Sequence, residues 1–302
     1  MPLLTVITPT YNRSDFICRI YENLQKQTCQ AFEWIVVDDG STDDTSSVVE
    51  AMRNGEQASF GIQLVRKENG GKHTAVNAGV CVATGLLTLI LDSDDELPVN
   101  AVETIVRRWQ ETEHKCEESS KQAFGGLAFC MAHRDGGVIT AGKWKNRSLP
   151  IEANEIDLRY RYKVSGDICE VFRTDVLREY PFPEISNERF CPEQLVWFRI
   201  ANRYSLRFYD DVVYFRDYLE GGLTDNIVRI RMKSPVASCM TYSEMLEYPI
   251  PFLQKVKAAI NFWRFHCCVN SVTSQVPRVK CCWQIFRPIG YLMHLNDRRI
   301  IG

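Results

Sequence analysis

The sequence predicts an α/β protein, a mainly parallel sheet flanked by helices and followed by a helical extension. Two periodicities alternate through the first 115 residues: short β-rich apolar runs, and longer stretches whose apolar residues recur at helical spacing. The last of the short runs is fully apolar, and the pattern implies a sheet buried on both faces. Strand and helix following one another in this way imply right-handed crossovers and parallel pairing.

The first strand is Leu4-Thr5-Val6-Ile7-Thr8, ending at Pro9. A helix follows over 14–27, opened by Ser14 and Asp15 as a cap and carrying Phe16, Ile17, Ile20, Tyr21 and Leu24 at helical spacing. The run 32–37 is the second strand, and a helix starts near Asp43. A third strand spans 61–66, a helix 71–83, and a fourth, fully apolar strand 86–91. Pro98 suits the first turn of a helix running to about Glu113. Beyond it, 124–133 and 137–141 read as strands of a hairpin about Arg134-Asp135-Gly136-Gly137. The stretch 142–165, rich in charge and tyrosine, reads as a mobile loop. A strand over 168–172, a short helix over 174–180 and a helix over 192–202, with Pro192 and Glu193 in its first turn, complete the pattern.

With 302 residues, 45% of them hydrophobic and 25% charged, the chain can bury a large core and is not of disordered composition. Its net charge of −2 conceals an asymmetry. From Pro251 to Gly302 there are eight Lys or Arg against the single acid Asp297, a net +7, so the first 250 residues carry −9. No nucleic-acid partner is expected. The 12 cysteines include no CxxC spacing, and the vicinal pairs Cys267-Cys268 and Cys281-Cys282 do not suit a zinc-finger site. Cys18, Cys29, Cys81, Cys130 and Cys169 sit among apolar residues and read as small core hydrophobes, and reduced thiols are expected. The start MPLLTVITP has neither a basic nor an apolar signal region, so a cytoplasmic protein is expected. No apolar run approaches the roughly 20 residues needed to cross a bilayer.

In an open parallel sheet, ligands bind beyond the carboxyl ends of the strands. Those ends run into Thr10-Tyr11-Asn12, Asp38-Asp39-Gly40-Ser41, Glu68-Asn69-Gly70-Gly71-Lys72 and Asp92-Ser93-Asp94-Asp95. Between Asp92 and Glu96 four of five residues are acids, a run that repels itself unless a cation sits among them. Mg²⁺ or Mn²⁺ takes one or two carboxylates plus substrate phosphates and answers that need. An acidic helix N-terminus is the plainer account, and it suits Asp95 and Glu96 as caps. In Asp38-Asp39, an Asx-turn explains one aspartate and leaves the other to accept hydrogen bonds from a base or ribose. Lys72 reads either as a solvated surface lysine or as the cation opposite a diphosphate.

VITPTYNR, IVVDDGSTDDT, ENGGKHTAVNAGVCVATG and LILDSDD, in this order and at these spacings, resemble the family-2 glycosyltransferases of GT-A fold, whose sheet is Rossmann-like. The resemblance covers about the first 110 residues closely and continues more weakly, through GDICEVFRTDVL and FCPEQLVWFRIA, to about residue 202. It implies metal-dependent, inverting transfer of a sugar from a nucleotide-sugar, usually a UDP-sugar, to a saccharide or lipid-linked saccharide in bacterial surface polysaccharide synthesis. It also implies a nucleotide-sugar-binding half over 1–115, an acceptor-binding half over 116–230 and a C-terminal extension over 231–302. Pro9 and Tyr11 match positions that flank the nucleotide base, Asp39 the carboxylate that hydrogen-bonds it, and Lys72 a basic position near base and phosphates. Asp92-Ser93-Asp94 matches the DxD motif, with Asp92 near the ribose and Asp94, with Asp92, at the Mn²⁺ or Mg²⁺ ion.

Inverting transfer requires a carboxylate that takes the proton of the attacking hydroxyl. Pro192-Glu193-Gln194-Leu195-Val196-Trp197-Phe198-Arg199 matches the family's ED-like motif, with Glu193 where Asp is commoner and Pro192 in place of the flanking acid. Asp167 is the competing candidate, or an acceptor-binding group. The five histidines show no ligand spacing.

Three readings from other classes fit the sequence less well. A non-catalytic nucleotide- or carbohydrate-binding module would be expected to lose acids, and all four acidic positions are kept. A sugar-phosphate nucleotidyltransferase needs a Gly-rich basic loop after its first strand, where this sequence has Thr10-Tyr11-Asn12-Arg13. A dehydrogenase would need GxGxxG at the same place, and it is absent. The tail from Pro251 mixes bases with Phe252, Phe262, Trp263, Trp283, Ile285, Phe286 and Tyr291. Peripheral contact with the inner face of the cell membrane is one expectation for it. A helical appendage packed on the catalytic domain, or a homodimer contact, is the other.

Overall fold

The apolar runs pair into one sheet whose strands are β1 (Leu4–Thr10), β2 (Phe32–Asp38), β3 (Gly61–Arg66), β4 (Leu87–Ile90), β5 (Gly126–Ala132), β6 (Ile151–Ala153), β7 (Ile168–Arg173) and β8 (Leu206–Phe215). The computed structural model describes residues 2–55, 58–118, 124–142, 144, 148–216, 226–269 and 276–301. It divides the chain into one unit of residues 1–181 and 199–217, which holds the whole sheet, and a second of 182–198 and 218–302.

Within the first unit the strand order is β3-β2-β1-β4-β7-β5-β8-β6. Strands β1 to β4 are parallel, β7 runs against β4 and β5, β8 is parallel to β5, and β6 closes the edge antiparallel to β8. Because side chains alternate across a strand, Leu4, Val6, Trp34, Val36 and Leu89 join one core cluster. Helices α1 (Ser14–Gln25), α2 (Thr45–Asn54) and α4 (Ala101–Glu118) cover it with Ile17, Ile20, Leu24, Val49, Val102 and Ile105. On the opposite face α3 (Lys72–Val82) packs over β1 and β2, with α6 (Thr174–Glu179) beside it.

Several elements differ from the sequence reading. β1 runs through Pro9 to Thr10 rather than ending at Pro9. Pro98 lies ahead of α4, which begins at Ala101, and the Pro98 carbonyl accepts the Ala101 amide at 2.9 Å. The described part of 142–165 is not loop alone. It holds β6 and the helix α5 (Glu155–Tyr160), capped by Asn154 Oδ1 accepting the Asp157 amide at 2.8 Å. Residues 137–141 form no strand of their own, touching β5 through an isolated bridge from Val138 to Ala132. Finally, β8 went unread, because its LRFYDDVVYF neither alternates nor stays apolar.

The second unit contains the start of α7 (Glu193–Ala201), then α8 (Ile227–Lys233), α9 (Pro235–Glu247), α10 (Phe252–His266), a 3-10 turn over Cys281–Phe286, and α11 (Arg287–Ile301). Its core gathers Cys239, Phe262, Trp263 and Phe265, with Tyr242 stacked on Phe265 at 5.9 Å between ring centroids. The Glu188 carboxylate is buried at the start of α9 and accepts the Val236 and Ala237 amides at 2.7 and 2.9 Å. It thereby ties the 182–192 segment to α9 at amides that a helix start leaves unpaired.

Candidate active site

The site lies in the first unit at the carboxyl ends of the parallel strands. From β1 the chain connects outward to β2 and β3, whereas β4 lies on its other side, so the strand order reverses between β1 and β4. That reversal is where an open α/β sheet leaves a crevice. Local sequence widens it. The Leu91 amide donates to the Ile7 carbonyl at 2.9 Å, and the next β1 residue facing β4 is Pro9, which has no N–H to continue the ladder. Asp92 follows at once.

Sequence places the loops around this crevice and hydrogen bonds lock them. Asn12, at φ 53°, takes Ser41 Oγ as acceptor for its amide at 2.8 Å, and its Oδ1 accepts the Thr42 amide at 2.8 Å. The loops after β1 and β2 therefore move together. Tyr11 between them is 46% exposed, and Pro9 is buried in the strand. Asp38 is fully buried and structural, accepting from the Ser41 amide at 2.8 Å and from the Ser46 hydroxyl. Asp39 is also buried, with Lys67 Nζ at 2.8 Å and the Gly70 and Gly71 amides at 3.0 and 2.7 Å. Gly71 adopts φ 93°, a left-handed conformation that lets both amides face one carboxylate before α3 begins. Asp39 thus orders the Gly-Gly-Lys turn from which Lys72 extends.

Lys72 Nζ reaches Asp92 Oδ1 at 2.6 Å. Burial pushes the Asp92 carboxyl up, but the Lys72 ammonium, with Arg216 and Arg13 beyond it, holds it below its ordinary range. Arg13 pairs with Asp94 at 3.4 Å, and Arg134 pairs with Glu96 at 3.3 Å. Asp95 is 3% exposed, and its carboxyl is pushed up to about 7 by burial and by Asp92, against a hydrogen bond from Tyr214. The chain's own cations therefore face the acidic run, and burial favours the protonated form of Asp95.

Tyr214 was not singled out from sequence. Its hydroxyl accepts the Asp92 amide at 3.0 Å and donates to Asp95 Oδ2 at 2.8 Å. A register shift between β5 and β8, from Ala128↔Phe208 to Cys130↔Val212 and Met131↔Tyr214, brings it under the acidic loop. Irregularities of this kind re-aim side chains beside functional sites. Arg216, one residue past β8, pairs with Asp167 at 3.3 Å. Since β7 runs antiparallel, Asp167 at its start shares the rim with the ends of β4, β5 and β8. Glu193 is the exposed first residue of α7 and belongs to the second unit.

Among the described residues no group of three His, Cys, Asp or Glu side chains could hold a metal ion unaided. Mg²⁺ and Mn²⁺ do not demand one, because they commonly complete their shell with phosphate and water oxygens. Asp92 and Asp94 supply hard oxygen donors, and the Asp94 side chain is 31% open to solvent. This donor set fits such an ion when it arrives with a diphosphate.

The fold is that of the GT-A transferases. Residues 5–120 match the model of glycosyl transferase family 2. The GalNAc(5)-diNAcBac-PP-undecaprenol beta-1,3-glucosyltransferase of Campylobacter jejuni is 27% identical over 227 residues, covering 74% of this chain and 68% of its own. Matches to other curated glycosyltransferases and synthases are shorter, covering 34% to 39% of this chain and at most 36% of theirs. TarS 1–349 of S. aureus has the same fold, with a TM-score of 0.61 at 21% identity over 98% of this chain and 80% of that one, and has been solved with UDP. The mannosyltransferase PcManGT of Pyrobaculum calidifontis, in complex with GDP-Man and Mn²⁺, gives 0.55 at 18% identity over 99% and 87%. Among the described residues no helix is long and apolar enough to cross a membrane.

Proposed function

We propose that this chain transfers a sugar, with inversion, from a UDP-sugar to a saccharide or lipid-linked saccharide acceptor, in a divalent-metal-dependent reaction of surface polysaccharide synthesis. The observation that carries the reading is the pair Asp92 and Asp94 at the sheet's switch point, with Lys72 2.6 Å from Asp92 and Arg13 3.4 Å from Asp94. A diphosphate fits there because these two cations can exchange carboxylate for phosphate oxygens, while Asp92 and Asp94 take Mn²⁺ or Mg²⁺. The metal supplies charge neutralisation of the departing nucleoside diphosphate. In the nucleotide half, over 1–115, Pro9 and Tyr11 flank the base. Asp39 keeps the Gly-Gly-Lys turn in place and can still accept a hydrogen bond from the base. The acceptor half is 116–230.

The general base is Glu193, proposed on its place in the motif at the start of α7, or Asp167, which the rim holds beside Arg216. The lipid-linked alternative for the acceptor draws on the relative named for an undecaprenol diphosphate glycan. It would place the reaction on the cytoplasmic side of the membrane. For the basic segment 251–302, a membrane surface and a second copy of the chain are both compatible with this function.

A screen of nucleotide sugars for hydrolysis and thermal stabilisation, with and without Mn²⁺ or Mg²⁺, tests the proposal. A UDP-sugar that stabilises and turns over only with metal is the expected result, and Asp94→Ala abolishes both effects. Full metal-dependent turnover by Asp94→Ala, or stabilisation by no nucleotide sugar, would refute it.

A further inference from the structure

Helix α11 is amphipathic in the reverse of the usual sense. An ordinary surface helix turns its apolar stripe inward and its polar face to water. Here the buried positions are Gly290, His294 and Asp297, one face of the helix, while Ile289, Leu292, Met293, Leu295 and Ile300 are exposed, Leu292 by 65% and Ile300 by 73%. Residues three and four apart are neighbours on a helix, so Ile289 adjoins Leu292 and Met293, and Leu292 adjoins Leu295, with Arg299 four residues beyond Leu295.

The inward face is built for its polar content. A Cβ at Gly290 would stand 2.6 Å from Trp263 Cβ and 2.7 Å from the Ile260 carbonyl, so only glycine allows α11 this close to α10. Arg264 holds Asp297 with two hydrogen bonds of 2.5 and 2.7 Å, and His294 Nδ1 lies 3.5 Å from Cys268 Sγ. Rotating α11 to hide its aliphatic stripe would break this buried ion pair and drive larger side chains into the Gly290 contact. The outward apolar face is therefore fixed by the inward packing. Nearby, Phe252, Leu253 and Ile285 are also exposed, by 69%, 73% and 74%, and Phe252 meets Trp283 at 6.3 Å between ring centroids.

Several large apolar side chains exposed side by side mark an interaction surface, and charge selects the occupant. Segment 251–302 holds eight Lys or Arg, and its single acid, Asp297, is buried and already paired with Arg264. Arg287, Arg298 and Arg299 are exposed on α11 itself. A twofold contact between two copies would bring like charges together. An anionic lipid surface offers aliphatic chains below and phosphates above. At 15 residues the helix is about 22 Å long, too short for a hydrocarbon core of roughly 30 Å, so it would lie in the surface rather than cross it.

We propose that α11, with Phe252, Leu253 and Ile285, seats this chain on an anionic phospholipid surface. The proposal does not depend on which sugar or acceptor the active site takes. The test is sedimentation of the full chain with extruded vesicles of phosphatidylcholine alone and with about 30 mol% phosphatidylglycerol. The chain is expected to partition onto the anionic vesicles and to be released at high salt. Each of Leu292→Asp and Ile300→Asp should lower the partition coefficient about tenfold, since an inserted aliphatic side chain contributes roughly one decade. Arg298→Gln/Arg299→Gln should lower it about twenty- to thirtyfold while keeping every exposed apolar side chain. Circular dichroism and metal-dependent UDP-sugar binding equal to the parent chain show that the variants are folded. Equal partitioning onto neutral and anionic vesicles, or aspartate variants that bind like the parent, would overturn the proposal. So would a dimer by light scattering that Leu292→Asp dissociates while vesicles capture nothing.

Discussion

Replacing Asp95 by asparagine tests the electrostatics of the rim. The Asp95 carboxyl is 3% exposed and is raised from 3.8 to about 7 by burial and by the neighbouring Asp92. An unfolded chain binds no proton there above pH 4, whereas the folded chain keeps one up to about pH 7, so the folded state holds more protons across that window. Stability must then fall as pH rises through it, by about 1.4 kcal/mol per unit, and level off above pH 7. Between pH 5 and 8.5 the loss from this group is about 3 kcal/mol. Asparagine keeps an acceptor for the Tyr214 hydroxyl but carries no charge. Asp95→Asn should therefore gain on the parent chain with rising pH, by about 3 kcal/mol over that range. Urea unfolding in the presence of a chelator, at half-unit pH steps, measures the difference directly. A constant difference between the two proteins across the range would refute the reasoning.

Other predictions concern neighbouring contacts. Tyr214→Phe strands the Asp92 amide and removes a donor to Asp95, and should cost about 1–3 kcal/mol in urea unfolding, with a raised KM for the nucleotide sugar. Lys72→Ala leaves Asp92 without its nearest cation and should weaken UDP-sugar binding by about one to two decades in calorimetry. Asp297→Ala leaves Arg264 mostly buried and unpaired and should cost the second unit about 3–5 kcal/mol, read by thermal unfolding. Glu193→Gln and Asp167→Asn compared side by side should show UDP-sugar affinity kept in both, with transfer to acceptor abolished in the one that supplies the base.

Strands β1, β2 and β4 and the rim were legible because parallel strands buried on both faces print mostly apolar runs, and because the strand ends carry acids and glycines, whereas β3, at the sheet's edge, is only partly covered. The rest depends on contacts between distant residues. Tyr214 reaches Asp92 across 122 positions, from a strand whose central Asp210-Asp211 hides its periodicity and whose register shift aims the ring. Arg134 and Arg216 were ordinary basic residues in the sequence and become partners of Glu96 and Asp167 only when β5, β7 and β8 align. That Lys72 and Arg13 face the acids of 92–96 is not visible in the sequence, because they stand on other loops. A composition of bases and aromatics announced that the tail was unusual, but which face of α11 turned inward followed from Gly290 and Asp297, whose partners lie on α10.

Titration calorimetry of UDP-sugar into the metal-free and Mn²⁺-loaded chain, and into Asp92→Asn and Asp94→Asn, tests most directly that the switch-point carboxylates hold a metal together with a sugar diphosphate. The predicted result is tight binding by the parent with Mn²⁺ and a weakening of at least about tenfold on removing the metal or either carboxylate. Affinity unchanged by metal and by both substitutions would contradict it.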